Sequence, residues 1–177
     1  MRRAYNRRQY LEKIAQLRQA RPSMAFSTDM IVGFPGESEA DFVETLQLVE
    51  EVQFDNIYTF KYSVRPGTEA AEAVDDVPLS VKDERLARLM ALQSKFSKKK
   101  NELLVGTEQQ VLVEGEDRLS RGRMTGHTDQ FKIVNFAGEE CSIGDIVRVQ
   151  ITQAYTNSLL GERGGESQCL SKCASQG

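Results

Sequence analysis

Residues 24–32 are almost continuously apolar and then stop at Gly33-Phe34-Pro35-Gly36, with Glu37 and Ser38 directly behind. An apolar run broken by two glycines and a proline predicts a buried strand that ends in a tight turn. Ser38, followed three residues later by Asp41, has the spacing of a capping box, so a helix opens there. Strand, glycine turn and helix in this order commit the start of the chain to an α/β arrangement. Two glycines beside a helix N-terminus also allow backbone N–H groups to approach a ligand closely. Taken alone, the same turn is the ordinary βα connection of any α/β protein.

The flanking segments extend this pattern. Asn6 and Gln9 have N-cap and N3 residue types, and Leu11, Ile14 and Leu17 follow at helical spacing until Arg21-Pro22 ends the helix. Between Arg2 and Arg21 seven basic residues face one acid, Glu12. Such a segment suits phosphate or a solvated helix face. Within the strand only Ser27-Thr28-Asp29 is polar. These residues either find local backbone partners or face a site. A helix over 39–52 puts Phe42, Leu46 and Val49 on one side, and residues 54–62 read as a second strand. Two parallel strands joined by a helix form a βαβ unit. A complete barrel or doubly wound sheet needs more strands, so this portion reads as part of a larger sheet. Ser63 to Thr68 form the loop at the C-terminal end of the second strand, where parallel folds gather their sites. Arg65 in that loop is a surface charge or a partner for phosphate or carboxylate.

After a linker at 74–78, Ser80-Val81-Lys82-Asp83 predicts a further capped helix. Its apolar side is Leu86, Leu89, Met90 and Phe96, and Lys98-Lys99-Lys100 complement the dipole near its end. From Gly106 the period changes to two. Val111, Val113, Ile133, Val134, Ile146, Val147, Val149 and Ile151 are the expected apolar anchors, separated by glycines, which predicts a small barrel or sandwich. The formal charge of −3 over 177 residues gives no global attraction for nucleic acid. No apolar run is long enough to cross a bilayer and no signal-peptide pattern opens the chain, which makes a cytoplasmic protein the expectation. Cys141, Cys169 and Cys173 are too few for a disulfide scaffold. The last two lie in a Gly/Ser/Gln-rich tail, residues 164–177, expected to be disordered.

Ser27-Thr28-Asp29, Gly33-Phe34-Pro35-Gly36-Glu37 and Phe60-Lys61-Tyr62-Ser63-Val64-Arg65-Pro66-Gly67-Thr68, in that order, resemble the second half of a radical S-adenosylmethionine barrel, most of all that of MiaB-type tRNA methylthiotransferases. The later part resembles the TRAM module of the same enzymes, an OB-like RNA-binding barrel. That match rests on Val111 to Gly115, Gly126-His127-Thr128, Val134-Asn135-Phe136, Ile143-Gly144 and the run from Ala154 to Glu162. The resemblance covers nearly the whole chain. It implies an α/β portion over 1–78 from a partial TIM-like barrel, a connecting helix over 79–105, and an all-β TRAM barrel over 106–163.

The family reaction adds a methylthio group to isopentenyl-adenosine beside the tRNA anticodon, using S-adenosylmethionine and two 4Fe–4S clusters. The cysteine motifs that hold those clusters are absent from this sequence, so the chain alone is expected to be inactive. By resemblance Ser27, Asp29, Ile31, Gly33, Phe34, Gly36 and Glu37 are candidates for holding S-adenosylmethionine. Tyr62, Ser63, Arg65, Arg123, His127, Lys132, Asn135 and Asn157 are candidates for contacting substrate or RNA. Phe131, Phe136 and Tyr155 fit either a stacking surface or the barrel core. The expected partner is the anticodon stem-loop of tRNA, with no membrane and a monomeric full-length protein. Two alternatives are a sister enzyme, acting on threonylcarbamoyl-adenosine or a ribosomal protein, and a non-catalytic RNA-binding protein.

Overall fold

The computed structural model describes residues 4–117, 122–138 and 141–164. The Cys169/Cys173 pair and the tail beyond Gly164 lie outside them. The chain divides into two compact units, residues 1–97 and 98–177.

The first unit contains α1 (Arg7–Ala20), β1 (Ser27–Val32), α2 (Glu39–Val52), β2 (Asn56–Lys61), a 3-10 turn (Glu69–Glu72) and most of α3 (Leu79–Glu102). Both expected capping boxes form. Asn6 accepts from the Gln9 amide while Gln9 reaches back to Asn6, and Ser38 and Asp41 do the same at α2. β1 and β2 pair in parallel from Ser27–Asn56 to Val32–Lys61. The apolar run from Met24 enters the ladder only at Ser27. Phe26 is instead bound by Asp55, whose carboxylate takes the Phe26 amide at 2.9 Å and whose own amide donates to the Phe26 carbonyl at 2.7 Å. Helix α3 likewise starts at Leu79, ahead of the expected Ser80 cap, because the Pro78 carbonyl accepts from both Val81 and Lys82 at 3.0 Å.

Alternation along the strands gives the small sheet two different faces. Val32 and Ile57 point into a core built with Phe42, Val49, Val52, Phe54 and Leu89. The opposite face carries the cross-strand pairs Asp29–Tyr58 and Ile31–Phe60. Tyr58 and Phe60 remain half exposed there.

The second unit is a closed barrel of β3 (Glu108–Glu116), β4 (Arg123–Thr128), β5 (Ile133–Ala137), β6 (Ile146–Ala154) and β7 (Leu159–Arg163), in the order β3-β4-β5-β7-β6. Val111, Val113, Val134, Phe136, Val147, Val149, Ile151 and Leu159 fill it. Gly126 allows β3 and β4 to close tightly, since a Cβ there would lie 2.1 Å from the Leu112 carbonyl oxygen. Two expected anchors do not belong to the core. Ile133 and Ile146 neighbour inward-facing Val134 and Val147, so the pleat turns both outward. Phe136 is the buried aromatic, whereas Phe131 and Tyr155 are exposed. Among the described residues no helix is long and apolar enough to cross a membrane.

The start of α2 adds an acid-dependent contribution to the stability of the first unit. The Arg88 guanidinium bonded to Glu39 holds that carboxyl below its ordinary 4.5, and the Ser38 hydroxyl and amide hold Asp41 below 3.8. The unfolded chain therefore takes up these protons first. The stabilisation is complete above about 4.5 and is lost as pH falls through the lower folded-state values. In a pH series of melting temperatures, Glu39→Gln combined with Asp41→Asn should flatten the acid limb. An unchanged limb would place the acid sensitivity elsewhere.

Candidate functional site

The turn after β1 is held from inside. Gly33 has φ +70°, and a Cβ on it would lie 2.4 Å from Lys82 Cγ, so α3 packs directly on the glycine backbone. Glu37 Oε2 accepts the Gly33 amide at 2.6 Å and the Arg85 Nη1 donor at 2.7 Å. Both side chains are nearly buried, 5% exposed for Arg85 and 11% for Glu37. The Gly36 amide is taken by Asp76 at 2.8 Å. Lys82 Nζ donates to both carboxylate oxygens of Asp75, at 2.6 and 2.7 Å, and lies over the Tyr62 ring. Both glycine amides, expected to be open to a ligand, are thus bound to side-chain carboxylates. Glu37 braces the turn. Lys82 and Arg85 carry this arrangement, and the sequence reading missed them. Their signal was present: two cations three residues apart interrupt the face of α3 that carries Leu86 and Leu89.

The turn opens onto a cleft of about 900 Å³ at the C-terminal ends of the two strands. Asp29 and Ile31 line it from β1, Phe34 from the turn, Phe60 and Tyr62 from the end of β2, and Ser63 and Arg65 from the following loop. Phe34 and Tyr62 meet edge to face at 5.1 Å, and the Tyr62 hydroxyl donates to the Ala70 carbonyl at 2.9 Å, which fixes the ring. The cleft therefore offers apolar and aromatic walls, with the acidic Asp29 and Glu69 and the basic Lys61 and Arg65 among its lining residues. That chemistry suits a flat heteroaromatic group with a charged tail. Asp29, Ile31, Phe34, Tyr62, Ser63 and Arg65 come together here. Ser27, Gly33, Gly36 and Glu37 are not among the lining residues.

On the barrel, the candidate RNA contacts separate into distinct places. The outward positions of β4 and β5 include Arg123, His127 and Asn135, with His127 opposite Ile133 and Thr125 opposite Asn135. His127 Nδ1 lies 2.7 Å from Glu114 Oε2. Lys132 is different, because it is only 8% exposed. Its amide donates to the Thr128 hydroxyl at 3.2 Å, within a turn that leaves the residue nearly buried. Asn157 is exposed on the β6–β7 turn. Buried Asn101, which the sequence reading did not single out, pins that turn by donating to the Tyr155 and Thr156 carbonyls at 2.8 and 3.2 Å.

The fold and these surfaces define a two-part protein, a parallel α/β unit with a cleft at its strand ends and a small closed barrel. Residues 102–163 match the TRAM domain, which contains the whole barrel. Along nearly its full length the chain is similar to tRNA-2-methylthio-N(6)-dimethylallyladenosine synthases. It is 52% identical to that of Syntrophobacter fumaroxidans over 162 residues, 92% of this chain and 36% of the relative. It is 48% identical to that of Bacillus subtilis over 167 residues, 94% of this chain and 33% of the relative. With Clostridium botulinum the identity is 46% over 162 residues. By these matches residues 102–163 are a TRAM domain, and nearly the whole chain is similar to a C-terminal portion of MiaB-type methylthiotransferases. It spans about a third of the length of the curated relatives it matches.

Removing one partner of the buried Glu37–Arg85 pair should be more damaging than removing both. Arg85→Met leaves a nearly buried carboxylate uncompensated, a loss of about 3–5 kcal/mol. The double variant Glu37→Gln/Arg85→Met should recover much of it. Chemical denaturation in a double-mutant cycle measures the coupling. Additive losses would mean that the pair does not act as a unit.

Proposed function

We propose that this chain is the cofactor-facing and RNA-holding portion of a tRNA methylthiotransferase. In the full-length protein, on this reading, a methylthio group is added to dimethylallyl-adenosine beside the anticodon. The observation that carries the proposal is the clustering of Asp29, Ile31, Phe34, Tyr62 and Arg65 in one cleft at the ends of parallel strands. A TRAM barrel in the same chain supports the RNA side, and so do relatives whose names specify that modified nucleoside.

The uncovered sheet face supports a place in a larger barrel. Its residues Asp29, Ile31, Tyr58 and Phe60 would face the lumen of a partial TIM-like barrel, where parallel strands on both sides would complete the hydrogen bonding. The cleft's composition fits S-adenosylmethionine. Ile31, Phe34 and Tyr62 would pack its adenine, Arg65 would meet a carboxylate, and Asp29 a ribose hydroxyl or the ammonium. When bound, that cofactor supplies the radical and methyl chemistry. The residues of this chain bind and orient it and exclude water.

The clusters of the family do not fit this chain. Among the described residues no set of three histidines, cysteines or carboxylates could hold a metal. The sequence contains only Cys141, Cys169 and Cys173, and a cluster is held by several thiolates close together. The chain by itself is therefore read as inactive. The full-length protein is read as a monomeric cytoplasmic enzyme acting on the anticodon stem-loop.

Two measurements test the proposal. After anaerobic reconstitution with iron and sulfide the chain should hold no stoichiometric cluster. About four irons per chain would overturn that point. The chain should bind an anticodon stem-loop RNA with a salt-dependent affinity. Arg123→Ala should reduce the salt slope by about one if Arg123 meets a phosphate. Lys132→Ala should lower the melting temperature and leave the slope unchanged, because that side chain is buried. No measurable RNA binding by the wild-type chain would refute the RNA-holding role.

A further inference from the structure

The turn between β4 and β5 presents a phenylalanine in a conformation that phenylalanine does not favour. Phe131 has φ +58°, one of two non-glycine residues with positive φ among those described, and it is 85% exposed. The turn around it is tightly bonded. The Phe131 amide donates to the Thr128 carbonyl at 3.0 Å, the Thr128 amide to the Lys132 carbonyl at 3.0 Å, and the Gln130 and Lys132 amides share the Thr128 hydroxyl. Glycine or asparagine would suit the left-handed position better. The ring contributes little to the core and sits on a rigid support. Strain of this kind, held in place by surrounding bonds, points to use.

Its neighbourhood points to the occupant. The His127 ring lies 5.9 Å from the Phe131 ring, tilted by 49°, and is itself held by Glu114. Because β5 and β7 are parallel neighbours, with Val134 opposite Leu159, the turns before them share one end of the barrel. That end therefore also carries exposed Tyr155 and Asn157. Asn101 fixes the last turn of α3 to the same end through the Tyr155 and Thr156 carbonyls. The same turn of α3 contains Lys98, Lys99 and Lys100, of which Lys98 pairs with Glu102 at 4.0 Å. Exposed flat rings at one end of a small barrel match unpaired nucleotides, whose bases stack on such side chains.

We infer that Phe131, backed by His127, is a stacking seat for one unpaired RNA base at this end of the barrel. The inference rests on the RNA-holding role proposed above and assigns that role a position. Stacking is short-ranged and independent of net charge, so it suits a barrel without a broad basic surface.

The test uses the full chain and a short single-stranded RNA carrying 2-aminopurine, whose fluorescence is quenched on stacking. Phe131→Ala should weaken binding about tenfold and abolish the quenching, with the salt slope unchanged. Phe131→Trp should restore both. Phe131→Asn should bind as weakly as the alanine variant yet melt at a higher temperature than wild type, because asparagine relieves the backbone strain. Wild-type affinity and quenching in Phe131→Ala, while wild type binds the RNA, would overturn this inference and leave the RNA-holding role standing. Absence of RNA binding by wild type would overturn both. Self-association that is lost in Phe131→Asn, with RNA binding unaffected, would assign the ring to a protein contact and overturn the seat.

Discussion

The first unit depends on a carboxylate placed under its own glycine turn. Glu37 receives the Gly33 amide and the Arg85 guanidinium at 2.6 and 2.7 Å in a nearly dry environment. A glycine with positive φ is required because Lys82 occupies the space where a side chain would stand. Lys82 then reaches Asp75, and Asp76 receives the Gly36 amide. One helix face therefore fixes both the turn after β1 and the strap before α3. Ion pairs this deeply placed stabilise little relative to apolar packing, but they define one geometry sharply. A cleft wall made by Phe34 needs that definition, since its ring position follows directly from the turn.

Much of the architecture was legible because it rests on local chemistry. Asn6 with Gln9 and Ser38 with Asp41 announce their helices through side chains that bind backbone groups three residues away. Period two from Gly106 onward announces the barrel. Strand ends were less legible because ladder partners decide them. Nothing within residues 24–27 says that Phe26 will be taken by Asp55. Ile133 and Ile146 were misjudged for a related reason. In each the apolar residue stands beside another, and only the register decides which of the two points inward.

Part of the cleft's lining was legible in the sequence, and its arrangement less so. Asp29, Ile31, Phe34, Tyr62, Ser63 and Arg65 do meet in one cleft, as residues at adjacent strand ends should. Glycine amides near a helix start suggest an open anion site, yet here carboxylates from the same unit already occupy them. Lys132 shows the converse, a cation whose burial no composition argument could reveal. Lys82 and Arg85 were hidden because a cation on a helix is ordinarily a solvated one, and only the tertiary fold turns these two inward.

The two units illustrate different uses of exposed apolar surface. On β2, Tyr58 and Phe60 belong to a sheet face with regular backbone, and their exposure follows from the lack of any element covering that face among the described residues. On the barrel every described strand is paired around a filled core, so Phe131 lies on a turn and not on an open sheet face. An aromatic ring is there despite a backbone conformation that disfavours it. The first case is a property of the fold. The second is a property of one strained residue on a closed barrel, and a local role is a physical reason for keeping it.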